Sequence, residues 1–383
     1  MKIGIDTTSA LLQGGGIGRY TRELVQATLA QDTTYEYVLF SAPSPTGKSL
    51  QTLFPVNDRV THKIAPLSEQ WLYRLWYRAR LPLSVQRFMG KLDLFHSPDF
   101  VLPPVGGKIP TLLTVHDLSF VHFPEVYPRV LVDYLNKVVP WSVARATHIL
   151  ADSEATKQDL RAVWQVPAEK ISVLYSGVSA AFGKVTDKGE ITAVLHKYNL
   201  PAAPYLLSVG TVQPRKNYQM LIQAFAPLAA RFPHNLYIAG GKGWLYDEMM
   251  TEIEKQGLAG RVRFIGFVAD EDLPTLYSAA ALYLFPSIYE GFGLPMLEAM
   301  ACGLPVLAAD VSSLPEVGGE TAVLLPPHDP HRWTETMAAV LSNPAQQKQM
   351  IAAGYQQVQK FTWQKSAARL LAIYQQLLSP QTN

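Results

Sequence analysis

Two carboxylates, two cations and a histidine stand where this chain could do chemistry. Residues 288–298 read Ile-Tyr-Glu-Gly-Phe-Gly-Leu-Pro-Met-Leu-Glu, with Glu290 and Glu298 eight positions apart. Gly291 and Gly293 permit unusual backbone angles, and Pro295 suits the first turn of a helix. One carboxylate thus precedes, and the other follows, a set of exposed backbone N–H groups. That arrangement can hold hydroxyls at its ends and phosphates in its middle. Gln213-Pro214-Arg215-Lys216-Asn217 supplies adjacent cations just before a helical pattern. A planar guanidinium beside a point-charge ammonium suits a diphosphate, and cations at a helix start oppose the macrodipole, so an anion should compensate them. His116 and Asp117 directly follow the apolar run 111–115. There the histidine can donate a hydrogen bond and the carboxylate can tune it. The run Gly14-Gly15-Gly16-Ile17-Gly18 precedes another helical pattern and reads equally as a flexible turn or as an anion-binding loop.

Other motifs carry less. Thr46-Gly47-Lys48-Ser49 lacks the earlier glycine of a phosphate-binding loop, because position 42 is alanine. Asp270-Glu271-Asp272 contains the Asp-x-Asp spacing of a metal site, but it reads better as a helix start capped by Asp270. Cys302 reads as packing, and a single cysteine cannot form an internal disulfide. Residues 71–89 are rich in aromatic residues and arginine. Trp71, Leu72, Leu75, Trp76 and Ala79 are expected on one apolar face, with Arg74, Arg78, Arg80 and Arg87 as charge. From Trp71 to Arg80 this suits a membrane interface, an acceptor-flanking helix or a packed core helix.

The elements that must position these groups alternate. Apolar runs at 3–6, 35–40, 94–96, 111–115, 148–151 and 171–175 are separated by helical patterns. The scheme repeats at 205–209, 236–239, 262–265, 281–285, 305–308 and 322–325. This predicts an α/β chain of two doubly wound parallel-sheet domains, with ligands beyond the carboxyl ends of the strands. Residues 177–204 read as a hinge, 346–359 as solvated glutamine-rich helix, and 362–378 as a helix with one apolar face.

At 383 residues and 48% hydrophobic content, the chain can bury more than one core. A net charge of +2 argues against a nucleic-acid partner. The N-terminus shows no signal-peptide pattern and no long uncharged apolar stretch occurs. The expectation is therefore a cytoplasmic protein, peripheral at most at the inner face of the membrane.

Taken in order, the Gly-rich loop at 14–18, Val-His-Asp at 115–117, Pro-Arg-Lys-Asn at 214–217 and the Glu-x7-Glu stretch at 290–298 resemble the retaining glycosyltransferases of family 4, which have the GT-B fold. The resemblance extends to Asp152-Ser153-Glu154, Ser313-Leu314-Pro315-Glu316 and Phe361-Thr362-Trp363. In detail it is similar to bacterial mannosyltransferases of surface polysaccharide synthesis. It implies two facing Rossmann-like domains with an interdomain cleft: an acceptor domain at 1–176, a nucleotide-sugar donor domain at 177–362, and a helix at 363–383 crossing back to the first.

By that resemblance Arg215 and Lys216 bind the donor diphosphate, Glu290 holds the donor sugar and Glu298 the ribose. The N–H groups of Phe292, Gly293 and Leu294 contact sugar and phosphate. Gly15 and Gly16 approach the diphosphate, His116 the sugar near its 6-hydroxyl, and Val268 lies where the base is seated. Asp117 is the one candidate for a general base. The donor implied is GDP-mannose, with UDP-sugars next, and the acceptor is a saccharide or lipid-linked saccharide. No metal or other cofactor is implied. A phosphorylase or nucleotide-sugar epimerase of similar fold would share such a site, and an inactive carbohydrate-binding relative is disfavoured by the presence of every charged group.

Overall fold

The structure, a computed structural model, describes residues 1–243 and 246–379. It divides into two compact units, Met1–Gly177 together with the segment from Trp363 onward, and Val178–Thr362.

The first unit carries the strands β1 (Lys2–Asp6), β2 (Glu36–Ser41), β3 (Val60–Ile64), β4 (Leu94–Ser97), β5 (Thr111–Val115), β6 (His148–Ala151) and β7 (Ile171–Val173). They form one parallel sheet in the order β3-β2-β1-β4-β5-β6-β7. Successive side chains of a strand face opposite ways, so each face of the sheet builds its own core. Ile3, Ile5, Tyr37, Leu39, Leu94, Leu112 and Leu150 pack with Tyr20 and Leu24 of the helix Gly16–Gln31 and with Trp363, Leu370, Ile373 and Tyr374 of the helix Trp363–Leu378. Val38, Phe40, Phe95, Leu113, Val115, Ile149 and Ala151 pack on the other side with Leu72, Trp76, Met89 and Leu160. The final helix is fastened at several points. Tyr374 Oη lies 2.7 Å from His96 Nδ1, and Ser366 Oγ donates to the Tyr175 carbonyl.

The second unit holds β8 (Tyr205–Val209), β9 (Asn235–Ala239), β10 (Val262–Gly266), β11 (Leu282–Phe285), β12 (Val306–Ala309) and β13 (Val323–Leu325). Its parallel order is β10-β9-β8-β11-β12-β13 around one continuous core. Each sheet reverses its direction of growth once, between β1 and β4 and between β8 and β11. In doubly wound sheets, loops diverge at such a switch point and leave room for a ligand at the carboxyl edge.

Three expectations change. The strand β3 has no apolar run to announce it: it is an edge strand whose one buried residue is Val60. Residues 178–204, within the stretch read as a hinge, pack on the second unit. Val194 of the helix Lys188–Lys197 and Leu200 enter the second core, while Lys184 Nζ and Val185 N bond Ser278. Within the glutamine-rich helix Pro344–Val358, Gln357 is buried and donates to the Val317 carbonyl at 2.8 Å.

Candidate active site

In the second unit the switch point brings together what the chain separates. The loop after β8 ends in a 3₁₀ turn, Pro214–Lys216, followed by Asn217 in the left-handed region, which opens the helix Tyr218–Ala229. The Asn217 side chain donates to the carbonyls of Pro286 and Pro327, tying this loop to those after β11 and β13. The loop after β11 carries Glu290. Lys216 Nζ lies 2.6 Å from Glu290 Oε1 and Arg215 Nη1 2.8 Å from Oε2. All three side chains are about nine-tenths buried. The anion that the two cations require is therefore a residue of the chain.

Burial works to raise the Glu290 pKa, but the adjacent Arg215 and Lys216 outweigh it and hold the carboxyl at about 2. The cations are seated as well as paired. Arg215 also donates to the Tyr289 carbonyl. Gly210 lies so close to Lys216 that a Cβ there would stand 2.9 Å from Lys216 Cε. Glu290 is fixed through its backbone: its N–H donates to Ser312 Oγ, and Ser313 Oγ donates to the carbonyls of Glu290 and Phe292.

Past Glu290 the chain turns at Gly293, whose φ of 113° is left-handed, into the helix Leu294–Ala301. Gly291 shows no such positive angle, so of the two glycines Gly293 alone needs to be one for its backbone. Glu298 is buried in this helix and accepts from Tyr277 Oη at 3.1 Å. Val268 is buried in the loop after β10 and belongs to the core. Phe292 is likewise buried against Phe361, leaving its backbone to make any polar contact.

In the first unit His116 and Asp152 stand side by side, because Val115 and Ala151 are register partners and each residue follows its strand. His116 Nδ1 lies 2.7 Å from Asp152 Oδ2, and Nε2 lies 3.3 Å from the Pro98 carbonyl. Burial would lower the imidazole pKa, but the Asp152 carboxylate outweighs it and raises it to about 9. Both nitrogens then act as donors, the state of an imidazolium rather than of a base. Tyr20 and Phe100 close on the ring edgewise. Asp117 serves its own turn, with Oδ1 accepting from Ser119 N at 2.8 Å and Ser119 Oγ at 2.6 Å.

Gly15 caps the helix Gly16–Gln31, and a Cβ on Gly15 or Gly16 would meet nothing within 4 Å. The glycine that packing demands is Gly18, where a Cβ would fall 2.0 Å from the Gln13 carbonyl oxygen. Asp6 and Asp99, which sequence reading passed over, end or follow β1 and β4 at the switch point of this sheet. Burial raises Asp6 to about 6, with Asp99 and Glu69 adding to it against the hydrogen bond from Thr8. Their position just past a strand was the available signal. Asp152 and Gly210 carry the same signal, each directly following its strand, whereas Ser312 gave none, since it matters only through Glu290, distant in sequence.

Among the described residues, no group of three or more His, Cys, Asp or Glu is placed to hold a metal. The acidic run at 270–272 precedes the helix Leu273–Ala279. The cap position is Asp272, not Asp270, and its carboxylate is spent on Lys197 and Tyr198 Oη at 2.6 Å each. Cys302 is fully buried, and burial pushes its thiol up to about 12. The aromatic segment divides: Trp76 is 2% exposed in the core and Trp71 53% exposed, with Arg74 over its ring at 5.0 Å. Five residues span about 140° round an α-helix, and the buried Trp76 and exposed Trp71 do not share one apolar face.

Residues 14–182 match the family described as Glycosyltransferase Family 4, and residues 196–357 match Glycosyl transferases group 1. The chain is 32% identical over 371 residues to O-antigen chain mannosyltransferase B of Escherichia coli, covering 94% of this chain and 96% of that one. The serotype-specific mannosyltransferase WbdA of Escherichia coli is 31% identical over 294 residues, which is 74% of this chain but 36% of that longer protein. Among solved structures, sucrose-phosphate synthase from Thermosynechococcus elongatus matches with a TM-score of 0.74 at 22% identity, over 98% of this chain and 99% of the other. A glycosyltransferase from Rickettsia africae matches at 0.76 and 18% identity, over 99% of each chain. At these identities the likeness is one of fold, that of GT-B proteins.

Proposed function

The chain belongs to glycosyltransferase family 4, and from that premise we propose that it moves mannose from GDP-mannose, with retention, to a saccharide or lipid-linked saccharide acceptor. Glycosyl transfer itself goes with the family; the choice of mannose is supported by the names of its Escherichia coli relatives. The observation that carries the reading is the buried meeting of Arg215, Lys216 and Glu290 at the carboxyl edge of the second sheet.

In this reading the bond from the anomeric carbon to the phosphate oxygen breaks, and its electron pair leaves with the nucleoside diphosphate. The acceptor hydroxyl forms the new bond on the same face, and its proton passes to a phosphate oxygen. Arg215 and Lys216 stabilise the charge that develops on the leaving group, which a preorganised, largely dehydrated pair does better than water. The N–H groups of Phe292, Gly293 and Leu294 add the partial charge of a helix N-terminus. Glu298 takes the ribose hydroxyls, Glu290 the sugar hydroxyls, and the backbone at Val268 the base. His116, with both ring nitrogens engaged by the chain, contributes a fixed positive charge rather than a free donor, and the open Gly15–Gly16 backbone admits a phosphate. With two cations in place, the proposal calls for no bound metal.

The test is a binding panel followed by product analysis. GDP should raise the melting temperature more than UDP or ADP; a larger shift with UDP would reject the choice of base. Product NMR should show the anomeric configuration of the donor, in chelator as well as without it, and an inverted product would reject the mechanism.

A peripheral contact with anionic membrane is part of the proposal. No helix among the described residues is long and apolar enough to cross a membrane. Trp71 is exposed beside Arg74, with Arg78 and Arg80 following on the surface. Co-sedimentation with anionic vesicles should weaken with salt and be lost in the double variant Arg74→Glu, Arg78→Glu. Absence of binding at low salt would remove the contact from the reading.

A further inference from the structure

Glu290 does more to Arg215 and Lys216 than neutralise them. One carboxylate spans both cations, Oε1 at 2.6 Å from Lys216 Nζ and Oε2 at 2.8 Å from Arg215 Nη1, as two oxygens of one phosphate group would. Neither side of this contact is loosely held. Lys216 is packed against Gly210, Arg215 is anchored on Tyr289, and the Glu290 backbone is braced by Ser312 and Ser313.

A diphosphate arriving at these cations meets an anion already in its place. It must share them with a like charge at close range, or drive the carboxylate off them, in surroundings where an unpaired carboxylate is costly. What the carboxylate finds next depends on the ligand. A sugar attached to the diphosphate brings hydroxyl donors that can satisfy it. Free nucleoside diphosphate brings only its ribose hydroxyls, which this reading gives to Glu298, and inorganic diphosphate brings none.

We propose that Glu290 is an internal competitor for the phosphate position, so that the site favours intact sugar nucleotide over spent nucleoside diphosphate and over inorganic diphosphate. The proposal rests on the donor-site reading of Arg215 and Lys216 and deepens it: the same side chain that would hold the sugar also penalises ligands without one, which speeds product release.

The test is calorimetric titration of the full chain with inorganic pyrophosphate, a probe that carries neither base nor sugar. Glu290→Gln should bind it about tenfold more tightly than wild type or better, the scale of one hydrogen bond to a charged group. Equal or weaker binding in the variant, including none in either protein, overturns the proposal. Lys216→Ala separates this from the reading beneath it. If pyrophosphate affinity survives that change undiminished, it is the diphosphate assignment that fails.

Because Glu290→Gln leaves two buried cations uncompensated, its melting temperature is measured alongside. Pyrophosphate should raise it further than it raises that of wild type. A variant that stays unfolded in saturating pyrophosphate also overturns the proposal, since the ligand would then be unable to take the carboxylate's place.

Discussion

Each unit holds a buried ion pair at the carboxyl edge of its sheet, and the two differ in what they leave for a ligand. His116 and Asp152 form a pair whose ring nitrogens are both engaged by the protein, one by the carboxylate and one by the Pro98 carbonyl. Arg215, Lys216 and Glu290 form a cluster in which one anion satisfies two cations that a phosphate could equally satisfy. The first is built to stay as it is and to fix a charge and a loop. The second is built for exchange. Burial alone does not separate them, since both are almost completely removed from water. The chemistry of the counter-ion does: an Arg–Lys pair accepts carboxylate or phosphate, whereas an imidazolium with both donors used has nothing further to offer.

The largest effect should come from breaking the closed pair. Asp152→Asn leaves a buried imidazolium without its counter-charge, and loss of one partner of a buried pair costs about 3–5 kcal/mol. The pH dependence distinguishes the two regions. His116 is raised from 6.5 to about 9, so its contribution is fully present below about 6.5 and fades as pH climbs through about 9. Glu290 is lowered from 4.5 to about 2, so its contribution is present above 4.5 and fades as pH falls through about 2. Urea unfolding across pH should lose its alkaline limb in Asp152→Asn and keep its acid one. An unchanged alkaline limb would mean that the first pair is not ionised.

Next in size is Lys216→Ala. Removing one preorganised contact to the leaving group should lower kcat by about 10²–10³ while Glu290 keeps Arg215 as partner. A normal kcat with a normal melting temperature would take the exchangeable cluster out of catalysis. Gly293→Ala is smaller: φ is 113°, and the new Cβ would lie 2.9 Å from Leu314 Cδ2. A residue strained in this way costs about 1–3 kcal/mol, measurable by denaturant midpoint. A variant as stable as wild type would show that the loop after Glu290 can relax.

The smallest effect on stability should be that of Gly15→Ala, within about 0.5 kcal/mol, because nothing lies near the added methyl. Its KM for the donor should nevertheless rise if a phosphate approaches this backbone. An unchanged KM would remove the loop from the site. Gly18→Ala is the control, since its Cβ would collide with the Gln13 carbonyl.

Most strands, the parallel α/β class and the residues of the exchangeable cluster could be read from the amino-acid order, because apolar runs and strand-end positions are local signals. Trp71 and Trp76 show where such signals stop. Their types suggest a shared face, yet the neighbouring core buries one and leaves the other in solvent. Gln357 shows the same in reverse: the polar run reads as surface, but one amide finds a buried carbonyl.

What the sequence by itself determined is therefore the identity and local setting of each group: cations at a helix start, a carboxylate before a glycine turn, a histidine after a strand. Tertiary structure alone decided which groups meet. Lys216 and Glu290 are 74 residues apart, and His116 and Asp152 are 36 apart. Crossover connections place β8 beside β11 and β5 beside β6, so the loops that follow those strands share an edge. Strand order is set by how helices pack on both faces of a sheet, a many-body outcome with no local signature, and it is strand order that turned a lone carboxylate into the counter-ion of two cations.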